Sequence, residues 1–465
     1  MSARAGRLTW GQAEILDWLA LNGYSLPGII SIRDITPPEG VADPDLAAAA
    51  LRALAARHEA LRTKVSIPRQ APGYQLTGNE RPSQYVDEES GFTLRRHEGD
   101  GEFTATEFMR LVGDRFDDGV STLDPASDPS VGMIYRRPDR RYGCLIITSR
   151  LFTDGPGSRR LGEEFHSLVA GVPAGDLPPV LDPLTLAAEE AGSVRQGLSR
   201  RNLAAMVRLL HQAPDELLVR PRGIPASATM TRSPTLAAHV LTLSQRFGVP
   251  KGGVVTALVG ALQWAEHGHP TVLVRALTQL PPPVRGAVHV APNALPALSA
   301  VPVHPAWTLR EFFARAWAAI VGSYRTCAYD PAVFDQMQHD LAAPLGRELL
   351  DGIVYLNYHS MPEIFDWPDQ DGNDSVLSHV ALERHDRVFR TLFDIRDLST
   401  SMTMQVEGAG WPRTGDTLRQ SRALIDLAAA MADADGDHRT VAEVADQAGR
   451  SLMAAVGAPP TEGNQ

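Results

Sequence analysis

A stretch rich in proline and glycine, GVPAGDLPPVLDPLT at residues 171 to 185, interrupts the chain and sets what it can fold into. Each proline lacks an amide donor and clashes with a continuing helix, so no regular element runs through this stretch and the chain divides into two successive parts, 1–175 and 176–465. Both parts carry mixed signals. In the first, DPDLAAAALRALAARHEALR at 43 to 62 predicts a helix: Asp43 can cap it, Pro44 suits its first turn, and Ala47, Leu51, Leu54 and Leu61 share one face. YGCLIIT at 142 to 148 predicts a buried strand, and after the loop SRLFTDGPGS, Leu161, Phe165, Leu168 and Val169 recur at helical spacing.

The second part repeats the mixture. Leu236, Val240, Leu243 and Phe247 form one amphipathic face, and Val254, Val255, Leu258 and Leu262 another. Thr308 and Glu311 make a capping-box pattern ahead of Phe313, Trp317, Ile320 and Tyr324. TVLVRAL from 271, GIVYLNYHS from 352 and the alternation around Met402, Met404 and Val406 predict strands, whereas the acidic stretch 363 to 379 predicts an exposed loop. The expectation is an α/β protein of two layered lobes facing one another, with a ligand cleft between them.

Composition narrows the function. Over 465 residues, 43% hydrophobic and 21% charged side chains suit a globular protein with a large core, and a net charge of -11 disfavours nucleic acid as partner, because counterion replacement needs a basic face. No apolar run is long enough to predict a membrane span, and no signal peptide is recognisable, so the expected location is the cytoplasm. Cys144 and Cys327 are too few for a disulfide framework. No HExxH, paired-cysteine or phosphate-cradling motif occurs, and Asp117, Asp118, Asp124 and Asp128 do not match a calcium loop, so neither a metal nor an intrinsic cofactor is expected.

The order of the motifs resembles that of the condensation domains of nonribosomal peptide synthetases, in the chloramphenicol-acetyltransferase-like superfamily. That family's RHExLRT and HHxxxDG elements are matched by Arg57-His58-Glu59-Ala60-Leu61-Arg62-Thr63 and Ser149-Arg150-Leu151-Phe152-Thr153-Asp154-Gly155. LTWGQAEIL at 8 to 16, Leu161 with Glu164 and Phe165, Asn293-Ala294-Leu295-Pro296, Pro331 to Gln336 and Tyr355 to Tyr358 match further elements in family order. The element expected at 180 to 200 is not recognisable. The resemblance implies two chloramphenicol-acetyltransferase-like lobes in a V-shaped arrangement with an active-site tunnel between them. It also implies an acyl thioester presented on the phosphopantetheine arm of a carrier protein, and an amine acceptor. Asn293 and Tyr358 would line the acceptor side, Asp154 and Arg62 would form a structural ion pair, and Gly155 would complete the loop.

The loop departs from the family where chemistry is concentrated. Ser149 and Arg150 replace the paired histidines, and a guanidinium with a pKa above about 12 cannot be a general base. An α-amine of pKa about 8 is roughly a tenth neutral at pH 7 and could still attack a thioester, so amide formation is easier to sustain than ester formation. Arg150 could stabilise an oxyanion, hold a carboxylate or phosphate, or close the loop and fill the tunnel by pairing with Asp154 or another carboxylate. Ser149 would need a base to act as a nucleophile. His289, on a strand leading to Asn293, and His359, after Asn357 and Tyr358, could supply a base from the second half, or each could be a structural histidine; His58 is read as structural. Two functions follow: a free-standing condensation-like acyltransferase forming amides, or a non-catalytic module that recruits a synthetase or oxygenase partner, similar to the X domain of glycopeptide synthetases.

Overall fold

The computed structural model describes residues 4–22, 30–66, 82–87, 92–97, 130–137, 139–213, 226–280, 287–342, 353–360, 373–382, 391–398, 400–409, 411, 414–433 and 438–446. Two compact units emerge. The first comprises Met1–Ser199, Gln279–Leu295 and Asp330–Ala332, and the second Arg200–Thr278, Pro296–Tyr329 and Val333–Gln465. The Pro/Gly-rich stretch at 171 to 185 thus lies within the first unit, which also takes in a segment more than a hundred residues further along the chain.

In the first unit the strands are β1 (Arg4–Arg7), β2 (Ile30–Asp34), β3 (Thr63–Ser66), β4 (Ser83–Val86), β5 (Phe92–His97), β6 (Ser130–Arg136) and β7 (Tyr142–Ser149). The helices are α1 (Trp10–Asn22), α2 (Pro44–Arg57), α3 (Gly155–Val169), α4 (Pro183–Ala191) and α5 (Ser193–Gln212), the last continuing into the second unit. A four-stranded sheet runs β2-β7-β6-β5 and a three-stranded sheet β1-β4-β3. The predicted strand at 142 to 148 is β7, and its uninterrupted apolar run has a simple cause. Cys144 and Ile146 face a core with Leu51, Leu54, Leu161 and Phe165, while Leu145 and Ile147 face Val131, Met133 and Tyr135. A strand buried on both sides has no use for polar alternation.

Asp43 caps α2 as expected, but the helix stops at Arg57, five residues short of the predicted end. His58 takes an extended backbone, and Glu59–Arg62 form a single 3-10 turn. The side chains explain the break. Arg57 Nε and His58 Nε2 lie 2.8 and 2.7 Å from the same oxygen, Glu164 Oε2 of α3. Burial pushes the Glu164 carboxyl up, and the hydrogen bonds from His58 and Arg57 outweigh it and hold the group below its usual range. Two sequence elements a hundred residues apart are thus one buried charge cluster, and His58 is structural within it.

A second buried network fixes the N-terminal segment. Gln12 Nε2 donates to Gln84 Oε1 at 3.1 Å, Gln84 Nε2 to the Arg7 carbonyl at 2.9 Å, and the Trp10 amide to Glu190 Oε2 at 2.8 Å. Burial raises the Glu190 carboxyl to about 8, with the Trp10 amide opposing. A raised carboxyl adds stability below the ordinary glutamate value and loses it as pH climbs through its folded value. Equilibrium denaturation of the wild type should therefore show stability falling from about pH 4.5 to about pH 8 and levelling off above it, and Glu190→Gln, which keeps an acceptor for Trp10, should flatten that fall.

In the second unit the strands are β8 (Ala226–Ser233), β9 (Thr271–Gln279), β10 (Ala294–Pro302), β11 (Val354–Ser360), β12 (Ser375–Ala381), β13 (Thr391–Asp397) and β14 (Met402–Ala409). The helices are α6 (Pro234–Phe247), α7 (Lys251–His267), α8 (Leu309–Tyr324), α9 (Pro331–Ala342) and α10 (Thr417–Ala432). The sheet order is β10-β9-β11-β13-β14-β8-β12, with β9, β11 and β13 parallel and β13, β14, β8 and β12 antiparallel. Its two faces differ. Val354, Leu356, Phe393, Ile395, Met402, Met404 and Val406 join a core with Val240, Leu258, Phe313 and Leu424 of the helices. The alternate positions Asn357, His359, Asp394, Arg396, Thr403 and Gln405 must then point to the opposite face, which is polar. The capping box at Thr308 and Glu311 starts α8 as predicted.

The expected loop at 363 to 379 is corrected in its second part: Ser375–Ala381 is strand β12, at the end of the sheet, with Val376, Leu377 and Val380 about half exposed. Its acidic composition masked the β-branched run. The aspartates at 117, 118, 124 and 128 lie outside the described residues. Among the described residues no helix is long and apolar enough to cross a membrane, and no cluster of side chains could hold a metal ion.

Candidate functional site

The site is built at the turn from β7 into α3. Strand β7 ends at Ser149, whose Oγ accepts a 3.3 Å hydrogen bond from the Leu151 amide and whose carbonyl accepts one from Phe152 at 2.9 Å. Ser149 is 1% exposed and its hydroxyl serves the turn, whereas Arg150 is exposed. Leu151 and Phe152 are fully buried and anchor the loop with Leu16 and Val65. The chain then enters α3 at Asp154, which caps the helix through a 2.8 Å bond from the Gly157 amide to Oδ1.

The resemblance implies an Asp154–Arg62 ion pair, and the geometry corrects this. Besides the cap, Asp154 Oδ2 accepts from Gln279 Nε2 at 3.1 Å and from the Asn293 amide at 3.2 Å. Arg62 instead donates to the carbonyls of Ala55 and Ala56, at 3.0 and 3.2 Å. Asp154 therefore joins its own helix to the returning segment 279–295. Burial raises its carboxyl, opposed in turn by the Gly157 amide, Gln279, the Asn293 amide and His289. The Asp154 carboxylate is thus taken up by amides and Gln279.

Two glycines let the returning segment come this close. A Cβ on Gly157 would sit 2.3 Å from the Val290 carbonyl oxygen, and one on Gly11, near the start of α1, 2.1 Å from that of Pro292. The backbone at 290 to 293 thus lies against the first turns of two helices. Gly155, expected to be the loop's special glycine, has nothing within 4 Å of a Cβ. DGPGS is therefore not simply a turn: Asp154 is a cap, and the glycines belong to the first turn of α3.

His289 sits on this segment. The expected strand there is reduced to one bridge between Val288 and Val180, and His289 is half-buried beside it. Burial lowers its imidazole below the usual histidine value against the opposing pull of Asp154, so it is neutral at pH 7. The Asn293 side chain donates to the Leu280 carbonyl at 3.0 Å, closing the segment on itself. Asp154, His289, Asn293 and the 149–155 loop are thus brought together in the first unit.

His359 and Tyr358 belong to the second unit. Tyr358 OH donates to Asp397 Oδ2 at 2.7 Å, Lys251 Nζ lies 3.0 Å from the same oxygen, and a Cβ on Gly252 would sit 3.0 Å from the Tyr358 ring. The ring therefore packs on the helix-covered face, tying α7 to the end of β13. His359, one residue on, points to the polar face, with Nε2 3.6 Å from Asp394 Oδ1.

No family model matches the chain, and no curated protein matches it. Solved structures do. The condensation domain of the monacolin K polyketide synthase aligns over 95% of this chain and 100% of its own, at 15% identity and a TM-score of 0.67. The structure described for condensation-domain-mediated chain release from the enacyloxin polyketide synthase covers 100% of this chain and 85% of its own, at 15% identity and a TM-score of 0.61. A starter condensation domain of rhizomide synthetase, in complex with C8-CoA, aligns over 94% and 96% at 14% identity and a TM-score of 0.62. The chain has the mixed α/β condensation-domain fold.

Gln279 and Gly157 were not singled out by the sequence. The signal for Gly157 was present, since Asp-Gly-Pro-Gly is a helix-start pattern; nothing local marks Gln279. Thermal or denaturant unfolding should show Gly157→Ala losing about 1 to 3 kcal/mol, the usual cost of overpacking, with Gly155→Ala close to wild type.

Proposed function

We propose that the chain is a condensation-type acyltransferase that joins an amine to an acyl group held as a thioester on the phosphopantetheine arm of a carrier protein. The observation that carries this reading is His289: an uncharged, half-buried imidazole on the segment that Asp154 docks against the 149–155 loop. The loop has lost its own imidazoles, and a base brought in by the returning segment replaces the function that Arg150 cannot perform. In the reaction the amine nitrogen attacks the thioester carbonyl, the C–N bond forms and the C–S bond breaks. The sulfur leaves as thiolate on the arm, and the proton from nitrogen passes to His289 Nδ1 or Nε2. Arg150, exposed and permanently charged, meets the anionic arm or the developing oxyanion. Asp154 and Gly157 position His289 by holding its segment.

A second reading, recruitment of a synthetase or oxygenase partner without turnover, is favoured by one observation. Of the two positions matched to the paired histidines, one side chain is turned into the loop and the other outward.

Purified protein given an acyl-loaded carrier protein and a panel of primary amines should form amide, detected by mass spectrometry. His289→Gln should lower kcat by about 10² to 10⁴, the usual worth of a positioned base. Because the imidazole is lowered, the wild-type kcat, read at amine concentrations that keep the neutral amine saturating at every pH, should hold into mildly acid pH and fall only below the ordinary histidine value of about 6.5. Absence of amide, together with stoichiometric binding of a partner enzyme, would replace the first reading by the second.

A further inference from the structure

Helix α5 concentrates positive charge on one face. Its sequence, SVRQGLSRRNLAAMVRLLHQ, holds four arginines, one histidine and no acidic residue, in a chain whose net charge is -11. None of the other described helices carries more than two lysines or arginines. Burial sorts α5 into two faces. Asn202, Leu203, Met206 and Leu210 are buried, and Asn202 Nδ2 donates to the Ala328 carbonyl at 2.7 Å. At about 100° per residue, Arg200, Arg201, Ala204, Arg208 and His211 fall within one arc on the opposite side, about 16 Å long, and all five are exposed. Among the described residues Arg200, Arg201 and Arg208 make no ion pair and no side-chain hydrogen bond, unlike Arg57, Arg96 and Arg160, which meet carboxylates. Cations crowded on one short face repel one another, and the helix dipole rewards positive charge only in the last turn, which Arg200 and Arg201 do not reach. The stability of the helix therefore gives no reason for the pattern.

We infer that this face of α5 is a docking surface for the carrier protein, which lays an acidic helix against Arg200, Arg201 and Arg208. The inference rests on the acyl-transfer reading for the identity of the partner, and adds to it the place where that partner is held. Charge complementarity sets the acidic chemistry of the occupant. A nucleic acid would meet a chain whose overall charge of -11 repels it, with only three arginines to replace its counterions. A membrane needs large apolar side chains beside the cations, but between Arg201 and Arg208 the arc holds only Ala204, and the apolar face of the helix is already buried. A small residue there lets the backbone of a facing helix come close, with its carboxylates reaching the arginines on either side. Exposed ion pairs are individually weak and screened by salt, so such a surface gives fast, steered and reversible contact. A carrier that arrives loaded and leaves empty in each turnover needs that kind of contact.

The test uses the full chain and the acyl-loaded carrier protein, with binding read by surface plasmon resonance at low and at physiological salt and folding verified by thermal unfolding. The combined variant Arg200→Gln, Arg201→Gln and Arg208→Gln should bind the carrier at least tenfold more weakly at low salt and lose most of the salt dependence. The matching combination with Lys at the three positions keeps the charge and should retain binding. Charge reversal with Glu at the three positions should abolish it, and a carrier whose acidic helix is changed to lysines should restore it. Equal carrier binding by wild type and the Gln combination overturns the surface. So does a Gln combination that loses a single-stranded oligonucleotide, phosphatidylserine vesicles or self-association while keeping the carrier. In turnover, the Gln combination should raise the KM for the carrier-borne acyl donor at least tenfold at unchanged kcat, and should alter neither constant when the same acyl group is carried on free pantetheine. The two proposals separate. Arginine-dependent carrier binding without amide formation leaves the surface standing and removes the acyltransferase, whereas amide formation with an unchanged carrier KM in the Gln combination does the reverse.

Discussion

The Asp154 carboxylate is the constraint on which the rest of the first unit's site depends. One oxygen caps α3 through the Gly157 amide, and the other receives Gln279 and the Asn293 amide from the returning segment. A half-buried carboxylate satisfied by donors from both sides is hard to shift, because moving either partner gives up a charge-assisted hydrogen bond. The glycines at 11 and 157 add a steric condition to the electrostatic one, since any side chain there would meet a carbonyl. Helix start, loop and returning segment are therefore one object, and His289 is held as part of it.

This changes what the aspartate of the loop is for. The resemblance assigned it to an ion pair with an arginine at the end of the RHE element, but Arg62 bonds backward to its own helix. The charge cluster of that element lies instead between Arg57, His58 and Glu164. With Arg57 and His58 committed to Glu164 and Arg62 to α2, Asp154 is available to organise amides. The same economy is seen at Tyr358, which is bound to Asp397 on the helix-covered face while its neighbour His359 takes the other.

Much of the architecture was legible because local chemistry writes it plainly. Asp43 before Pro44, Thr308 before Glu311, and the apolar run of β7 each state an element and one of its ends. What stayed hidden depends on partners distant in sequence. The end of α2 at Arg57 is set by a glutamate more than a hundred residues away, and a helical stripe continuing to Leu61 gives no warning of it. Strand β12 was concealed by its acidic surroundings, since its pairing with β8 sustains an exposed strand that its own pattern does not announce. In the candidate site, motif order located Asp154 and Asn293, whereas Gln279 and the grip of Gly157 on Val290 belong to a contact that only the folded chain creates.

Strand β12 also bears on how the molecule behaves in concentrated solution. Its outer side meets no other strand among the described residues, and three large apolar side chains stand half exposed along it. Such a border is a template on which foreign strands can grow. The shift in register between Val376 and Ser378 breaks the straight run of amides and carbonyls that templating requires. That irregularity works as a guard against fibrillation, and straightening it would make the protein sticky long before it made it unstable.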